Sequence, residues 1–320
     1  MEKLGVIEGR KANFQQLSSK YGIVIALIAI CAALSIATPN FMTVDNVVNV
    51  LRQVSINGIL AIGMTFVVIT GGIDLSVGSL VAFSGVIVAS FVRGGFNILF
   101  CMLLAVVAST ILGSINGFFV ANQRLAPFIV TLAMMTVGRG LTYVYSDGKP
   151  ISPLTQQYMQ IGKGDVAGIP VPVLILLVVF LISFFILNYT SIGRYIYAVG
   201  GNEHAALVSG INVNKIKLLV YAISGFLSGI AAIVLSARVS AGLPTAGSGY
   251  ELDAIAAVVI GGTSLSGGKG RLWGTIIGIL IIGIINNGLD LLNVSSYYQQ
   301  IVKGCIILGA VLLDRSSNKQ

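Results

Sequence analysis

The sequence TSIGRYIYAVGGNEHAALVSGINVNKIK, residues 190–217, is a polar stretch between two apolar runs that are each long enough to cross a bilayer. Residues 202–209 within it contain a single β-branched residue and are flanked by glycines, which predicts a short helix. Asn202 is its candidate N-cap, Glu203 lies in its first turn, and Gly210 follows its end. A short helix held between two membrane helices moves with them and can transmit force. The alternative is a connecting loop without such a role.

The composition is that of an integral membrane protein. Of the 320 residues, 56% are hydrophobic and only 9% are charged, whereas soluble domains carry about 25% charged residues. The apolar runs have helical length and do not alternate with a period of two, which excludes an outer-membrane barrel. The 39 glycines are typical of helices that pack closely in lipid. We therefore expect an all-α polytopic membrane protein.

Apolar runs of bilayer-crossing length divide the chain into about ten predicted transmembrane helices, some of them short or interrupted. They cover residues 21–38, 55–70, 77–91, 98–120, 128–145, 171–187, 216–235, 252–262, 273–289 and 298–313. Residues 1–20 are polar and contain no evident cleavable signal peptide, so the first span should remain as an anchor. The predicted organisation is a cytoplasmic segment at 1–20, one transmembrane domain at 21–314 that includes the loop 190–217, and a cytoplasmic tail at 315–320.

The distribution of lysine and arginine predicts the orientation, because cytoplasmic loops are enriched in both. With the N-terminus inside and ten alternating spans, twelve of the 19 cations lie on inner segments. They are Lys3, Arg10, Lys11, Lys20, Arg124, Arg194, Lys215, Lys217, Lys269, Arg271, Arg315 and Lys319. The other seven, on outer segments or within spans, are Arg52, Arg93, Arg139, Lys149, Lys163, Arg238 and Lys303. Both termini and the loop 190–217 are therefore predicted to be cytoplasmic. The net charge of +8 has the same origin, and because the cations form no stripe we expect no nucleic-acid partner.

The sequence offers no convincing site for a metal or a nucleotide. The three cysteines lie inside apolar runs without a CxxC pair, so we expect buried, inert thiols. They are Cys31, Cys101 and Cys305. The lone histidine, His204, cannot build a metal cluster. Residues 262–269 come close to a phosphate-binding loop, but Gly268 stands where that motif has lysine, and Lys269 is followed by Gly270 and not by serine or threonine. We expect no metal, no catalytic residue and no cofactor on this chain.

Two segments of the chain resemble each other. VVITGGIDLS at 67–76 and VVIGGTSLS at 258–266 match if one residue is skipped. Each places a glycine pair, Gly71 and Gly72 or Gly261 and Gly262, after an apolar stretch. Weak internal repeats are common in transporters, and this one would mark two helices that are interrupted near the membrane. The alternative is a chance similarity between apolar, glycine-rich segments.

Three polar residues in apolar surroundings, Asp74, Asn286 and Asn287, are candidates for a transport pathway or a helix break. A carboxylate near hydrocarbon is costly and is usually paired or functional. For Asp74 we favour a cap that holds the first amides of the third span, since no partner cation lies near it in sequence. The asparagines, with Gln299 and Gln300, could line a path for a neutral polar solute or could hydrogen bond between helices. The sequence leaves both alternatives open.

The polar stretch also carries a family pattern. The order G-R-(x)5-G-G-N-E-x-A-A-(x)3-G-I-x-V-x-K runs from Gly193 to Lys215. It resembles the cytoplasmic coupling loop of sugar-importing ABC transporter permeases. The segments PTAGSGYELDAIAAVVIGGTSLSGGKG at 244–270 and SSYYQQIVKG at 295–304 are similar to the ribose branch of that family in particular. The resemblance covers nearly the whole chain and is weakest in residues 1–20 and 147–168.

This resemblance implies a permease subunit of an ATP-driven ABC importer for ribose or a similar monosaccharide, in the bacterial inner membrane. Two copies would surround a central pathway. Cytoplasmic ABC ATPase subunits would dock on the coupling loops, and a periplasmic sugar-binding protein would deliver the sugar. ATP and Mg²⁺ would then bind the ATPase and not this chain. The coupling-loop residues that match the pattern are Gly193, Arg194, Gly200, Gly201, Asn202, Glu203, Ala205, Ala206 and Gly210. Ala206 and Gly210, four residues apart, would share the face that enters the ATPase.

Three outer cations, Arg52, Arg93 and Arg238, are candidates for contacts with acidic residues of the binding protein. Complementary charge commonly guides protein encounter. The alternative is that these side chains only extend from the membrane interface into water.

Two other functions remain open. One is the same machinery carrying another sugar or a sugar-like signal molecule. The other is an ion-coupled secondary transporter acting alone, which would need ionisable groups near the membrane midplane. Asp74 and Asp253 are the best candidates for such groups. A membrane-embedded enzyme is disfavoured, since the sequence has no site centred on histidine or cysteine.

Overall fold

The computed structural model describes residues 22–317. Its helices are α1 (Gly22–Ala37), α2 (Val44–Ile69), α3 (Val77–Arg93), α4 (Ile98–Ala121), α5 (Pro127–Ser146), α6 (Gln156–Lys163), α7 (Val171–Tyr189), α8 (Ser191–Gly201), α9 (Glu203–Val208), α10 (Val213–Val239), α11 (Tyr250–Ile260), α12 (Leu272–Leu291) and α13 (Ser296–Ser317). Two short antiparallel strands, β1 (Asp165–Val166) and β2 (Ile169–Pro170), precede α7. The predicted cytoplasmic segment 1–20 and the last residues of the predicted tail lie outside the described residues.

The predicted all-α membrane architecture is confirmed. Each predicted span contains a helix, namely α1 to α5, α7 and α10 to α13. Within residues 22–317, six of them are long and apolar enough to cross a membrane: α2, α4, α5, α7, α10 and α12. Helices α1 and α3 are shorter apolar helices. Helix α11 has 11 residues, a length of about 16 Å, so it cannot cross a bilayer of about 30 Å on its own.

Helices α2 and α10 form the centre of the bundle. Every residue from 54 to 69 of α2 is buried, and α10 packs against α2, α3 and α4. By contrast, α4 and α7 are mostly apolar yet leave many large apolar side chains exposed. A helix that is apolar on all sides and exposed to solvent would be unfavourable in water, so these faces are suited to contact with lipid.

Glycines allow the close approach of α4 and α10. Gly113 and Gly117 lie one turn apart on α4, and a side chain at either would overlap the backbone of α10. Gly225 of α10 lies equally close to the carbonyl oxygen of Ser109 on α4. Small residues at four-residue spacing let membrane helices pack backbone to backbone. This contact bears out the role expected of the glycines.

Helices α3 and α11 both begin inside the bundle. Asp74, just before α3, hydrogen bonds to Ser224 near the middle of α10. Asp253, in the first turn of α11, lies beside Asn57 near the middle of α2. Gly78 of α3 is packed against the segment that leads into α11. The N-terminal ends of the two helices therefore meet about half-way along the bundle.

The cysteines differ from the sequence expectation in one respect. All three are free thiols, Cys101 is buried and Cys31 is partly buried. Cys305, however, is exposed on α13, so the expectation of a buried thiol is wrong there. An apolar run predicts a helix but not which of its sides faces the bundle.

Candidate coupling site and intramembrane polar groups

The predicted short helix of the loop 190–217 is confirmed as α9. Asn202 is its N-cap, because its Oδ1 accepts a hydrogen bond from the Ala205 amide at 2.9 Å. Gly210 follows its end with φ +83°, a conformation that glycine adopts without strain. The preceding helix, α8, is capped in the same way by Thr190, whose Oγ1 accepts from the Gly193 amide at 3.3 Å. Local capping residues therefore fix the shape of this loop.

Helix α9 presents an apolar face outward. Leu207 and Val208, which are adjacent, are 56% and 75% exposed. Ala206 is only 4% exposed and packs into the core of its own chain. The expectation that Ala206 lies on the face that enters a partner is therefore wrong. Its small size serves packing within the chain.

A salt bridge fastens α9 to α10. The Lys217 ammonium lies 2.6 Å from a carboxylate oxygen of Glu203. Beside this pair is an open polar groove of about 660 Å³, which reaches across to Arg124 in the loop between α4 and α5. His204 and Leu207 form part of its wall.

Three glycine pairs meet next to α9, namely Gly71–Gly72, Gly200–Gly201 and Gly267–Gly268. The Gly268 amide, between α11 and α12, donates to the carbonyl oxygen of Ile69 at 2.8 Å, at the end of α2. Gly200 of α8 is packed against both of these groups. Gly267 in turn contacts the backbone of Gly200 and of Gly71. The sequence singled out these glycine-rich segments separately but gave no sign that they touch.

Beside these contacts lies a polar cavity of about 320 Å³, which is open to one side. It is lined by Thr70, Gly71, Gly72, Gly200, Gly201, Asn202, Glu203, Lys217, Tyr221 and Ser266, among others. The loop 190–217 thus adjoins both of the similar segments, 67–76 and 258–266.

A tyrosine ties α8 to the same region. The Tyr197 hydroxyl donates to the carbonyl oxygen of Gly270 at 2.9 Å. Burial raises the pKa of this phenol, and the charge of Arg271 offsets part of that rise. Tyr197 therefore stays protonated and keeps its hydrogen bond under physiological conditions.

The two similar segments end their helices in the same way. After α2, the amides of Gly71 and Gly72 donate to Val68 and Val67 at 2.9 and 3.1 Å. After α11, the amides of Gly262 and Thr263 donate to Val259 and Val258 at 2.9 and 3.1 Å. Both are Schellman terminations with a glycine at positive φ. The two helix ends therefore superpose without the skipped residue that the sequence comparison needed. In this structural match Gly71 corresponds to Gly262, and Thr70 corresponds to Gly261.

Asp74 is fully buried and holds two helices together. Its carboxylate accepts hydrogen bonds from the Ser76 amide at 3.0 Å, the Ser76 hydroxyl at 2.6 Å and the Ser224 hydroxyl at 2.7 Å. Helix α3 begins at Val77 with Ser76 as its N-cap. The preferred interpretation of Asp74 as a cap of the first helical amides is therefore wrong in detail. It binds the residue before the helix and links α3 to α10.

The two asparagines of α12 have different partners. Asn287 exchanges two hydrogen bonds with Asn46 of α2, at 2.8 and 3.0 Å, which is the interhelical alternative. Asn286 instead lies within hydrogen-bonding reach of Asp253. The Asp253 carboxylate is paired with Lys303 of α13 at 2.9 Å. No local sequence pattern connects this pair, because the two residues lie on different predicted spans.

Of the three cations predicted to lie on the outer side, two are bound by their own chain. Arg52 donates to the carbonyl oxygen of Lys163 at 2.8 Å, and Arg238 to the Asn49 side chain at 2.8 Å. Arg93 lies exposed in the last turn of α3. Of the three, Arg93 is therefore the one most accessible to a partner.

Within residues 22–317, no three histidine, cysteine, aspartate or glutamate side chains are grouped closely enough to hold a metal ion. In the segment that comes close to a phosphate-binding loop, the backbone amides of Gly267 and Gly268 donate hydrogen bonds to carbonyl oxygens of the same chain. Gly267 donates to Ser264 at 3.1 Å and Gly268 donates to Ile69 at 2.8 Å. These amides are not directed at a ligand.

Comparisons with known proteins place this geometry in a family. A family profile described as branched-chain amino acid transport system / permease component matches residues 46–311. The ribose import permease protein RbsC of Haemophilus influenzae is 54% identical over 294 residues, 91% of each chain. That of Bacillus subtilis is 49% identical over 313 residues, 97% of each chain. The D-allose transport system permease protein AlsC of Escherichia coli is 41% identical over 314 residues, 98% of this chain and 96% of the other. No solved structure gives a significant match.

The profile spans most of the chain, and the relatives cover nearly all of it. Such similarity over a bundle of apolar helices identifies a multi-pass protein of the bacterial inner membrane. The chain therefore belongs to this family of transport-system permease components.

Proposed function

We propose that the chain is the membrane-spanning subunit of an ABC importer for ribose or a closely similar monosaccharide. The observation that carries the proposal is 49–54% identity to ribose import permeases over more than nine tenths of the chain. The lower identity of 41% to a D-allose permease makes other monosaccharides the second candidate.

In the proposed arrangement the chain makes ten crossings, has both termini in the cytoplasm and acts as a pair of copies. An ATPase subunit docks on α9 of each copy, and a binding protein delivers sugar from outside. ATP is hydrolysed on the partner, so this chain contributes no catalytic residue. The exposed Leu207 and Val208 support the docking site, since an apolar patch on a polar loop is suited to a protein contact.

The coupling loop has two physical connections to the bundle. Glu203 of α9 is connected to α10 by its salt bridge with Lys217. Gly200 of α8 packs against the backbone of Ile69 at the end of α2 and of Gly268 in the turn before α12. Closely packed backbone transmits displacement because it has no flexible side chain to absorb it. A movement of α9 therefore shifts the inner ends of α2, α10 and α12 together.

The buried acids argue against an ion-coupled transporter. Asp253 is already neutralised by Lys303, and the Asp74 carboxylate has three hydrogen-bond donors. A coupling ion would have to compete with these partners at either site.

Uptake of labelled ribose tests the proposal. Cells without another ribose transporter would express the chain together with its ATPase and binding protein. We expect uptake that stops when ATP is depleted and survives collapse of the proton and sodium gradients. Uptake that follows the gradients while ATP is maintained would contradict it. Competition by allose, arabinose and xylose identifies the preferred sugar, and uptake of none of these sugars would refute a monosaccharide importer.

A further inference from the structure

Helix α5 combines two properties that do not suit lipid. Of the six described helices that are long enough to cross a membrane, it is the least apolar, yet it is as exposed as α4. Helix α2, the next least apolar, is almost wholly buried, and the other widely exposed helices, α4 and α7, are the most apolar of the six. Lipid therefore suits the exposed sides of α4 and α7, whereas the exposed side of α5 requires a different neighbour.

The exposed side of α5 carries small and polar residues. Thr136, Gly140 and Tyr143 are exposed and are spaced by four and three residues, so they lie on one face of the helix, here called the α5 face. Nothing in the described chain lies within 4 Å of the place that a side chain at Gly140 would take. By contrast, α7 exposes large apolar side chains such as Leu181.

A non-helical segment lies at the level of α5 inside the membrane. Residues 240–249 lead from the end of α10 back to the start of α11, about half-way along the bundle. Gly247 of this segment packs against Gly78 in the first turn of α3, and the next residue of α3, Ser79, packs against Gly138 of α5. The segment, the start of α3 and the middle part of α5 are therefore at one level.

Arg139 of α5 joins this segment to the helix. Its Nη1 atom donates to the carbonyl oxygens of Pro244 and Ala246, both at 2.8 Å. Thr245, between these two residues, and Ser248 are exposed. Non-helical backbone at membrane depth is tolerated only where it is buried in protein or lines a water-filled cavity. Because Thr245 and Ser248 are not covered by their own chain, they indicate such a cavity.

Arg139 also has hydrogen-bond donors to spare. A guanidinium group has five N–H donors, and within residues 22–317 only the two of Nη1 have a partner. The negative charge of Glu251, in the first turn of α11, lies near enough to offset part of the positive charge. Thr136 and Tyr143 are three and four residues from Arg139 on α5 and therefore lie next to it. Free donors and hydroxyl groups without a strong net charge suit a neutral solute that carries hydroxyl groups, because each hydroxyl both donates and accepts.

We propose that the α5 face, together with Arg139 and Thr245, lines the path of a monosaccharide between two copies of this chain. The inference rests on the proposed function and deepens it, since it names the surface that the sugar passes. Each copy provides one wall, so the path is complete only when the second copy is present. Arg139 and Thr245 bind hydroxyl groups of the sugar, and Gly140 leaves room for its ring.

A cysteine on the α5 face tests whether this surface borders water between two copies. The three native cysteines would be replaced by alanine, Gly140→Cys would be introduced, and the chain would be assembled with its ATPase in lipid nanodiscs, which are open to reagents from both sides. We expect a charged thiol reagent to label this cysteine, and bifunctional thiol reagents of increasing length to link the two copies. The matched control is Leu181→Cys on α7, which is 54% exposed but on a side suited to lipid. It should be neither labelled nor linked, because a charged reagent does not enter hydrocarbon.

Three results of this experiment would overturn the proposal. Absence of labelling at Gly140→Cys would show that no water reaches the α5 face. Equal labelling of both variants would show that labelling does not distinguish the path from the lipid side. Labelling of Gly140→Cys without any link between copies would place the α5 face away from the second copy.

Two further variants test passage of the sugar. Gly140→Trp fills the path, so we expect loss of ATP-driven ribose uptake while the ATPase is retained on purification, because α5 lies apart from α9. Leu181→Trp is its control and should keep uptake. Thr245→Val removes one hydroxyl group at nearly unchanged volume and should lower the maximal rate of ribose uptake. An unchanged maximal rate in either Gly140→Trp or Thr245→Val would overturn the proposal.

Failure of the proposed function has a different signature. It would appear as failure of the unmodified chain, assembled with its ATPase and binding protein, to import ribose. Labelling and linking of Gly140→Cys do not depend on which solute is carried, so they would still show a water-filled path between two copies.

Discussion

Gly200 and Gly201 are neighbours in the sequence but have opposite surroundings. A side chain at Gly200 would overlap the Ile69 carbonyl oxygen and the Gly268 amide, whereas nothing lies within 4 Å of the place a side chain would take at Gly201. The same residue type therefore serves close packing at one position and tolerates replacement at the next. Sequence alone gives the two glycines equal weight.

We expect Gly200→Ala to destabilise the chain by about 1–3 kcal/mol, since overpacking forces backbone apart. It should also reduce ATP-driven uptake, because it separates α8 from the end of α2. Gly201→Ala is the matched control and should change stability by less than about 0.5 kcal/mol. Thermal unfolding in detergent and ribose uptake measure both effects. Equal stability and uptake in the two variants would show that the glycine contact is unimportant.

At the scale of an element, α9 shows which features a sequence can predict. Asn202 as N-cap and Gly210 beyond the last turn were predictable, because capping depends on residues a few positions apart. The burial of Ala206 was not predictable, since it depends on packing of α9 against the rest of the chain. The same limit applies to the polar groups of the membrane. The partner of Asp253 lies on α13, and no local pattern connects them.

The exposed apolar face of α9 leads to a prediction for docking. Val208→Glu should leave the fold intact, because Val208 is 75% exposed. It should remove the ATPase during purification and abolish ATP-driven uptake, since a charge cannot be buried in an apolar contact without a partner. Val166→Glu on β1, 58% exposed and predicted to be on the outer side, is the matched control and should retain both properties. Retention of the ATPase by Val208→Glu would exclude this face of α9 as the contact.

Ala206→Trp would be a poor test of the same contact. Because Ala206 is buried in its own chain, a larger side chain there would displace α9 itself. Its effect on uptake would not distinguish a lost partner contact from a distorted loop. The exposed positions of α9 are therefore the informative ones.

For the whole molecule, the sequence predicted the helical architecture because long apolar runs have few other solutions in a membrane. A helix lies at each span that the sequence predicted. The depth at which α3 and α11 begin within the bundle was not predicted. That depth follows from contacts such as Asp74 with Ser224, which join segments far apart in the chain. Orientation rests on the distribution of cations and remains a prediction.

Two serines on either side of α7 provide the test of orientation. Ser152 precedes α6 and Ser209 follows α9, both are exposed, and of the helices long enough to cross a membrane only α7 lies between them in the described chain. In a background without the three native cysteines, an impermeant thiol reagent should label Ser152→Cys in intact cells. Ser209→Cys should be labelled only after permeabilisation, because the excess of cations predicts that its loop is cytoplasmic. Labelling of Ser209→Cys alone in intact cells would reverse the orientation, and would also exclude ATPase docking on α9. Labelling of both would show that α7 does not cross the membrane, although its 19 residues are long enough and mostly apolar.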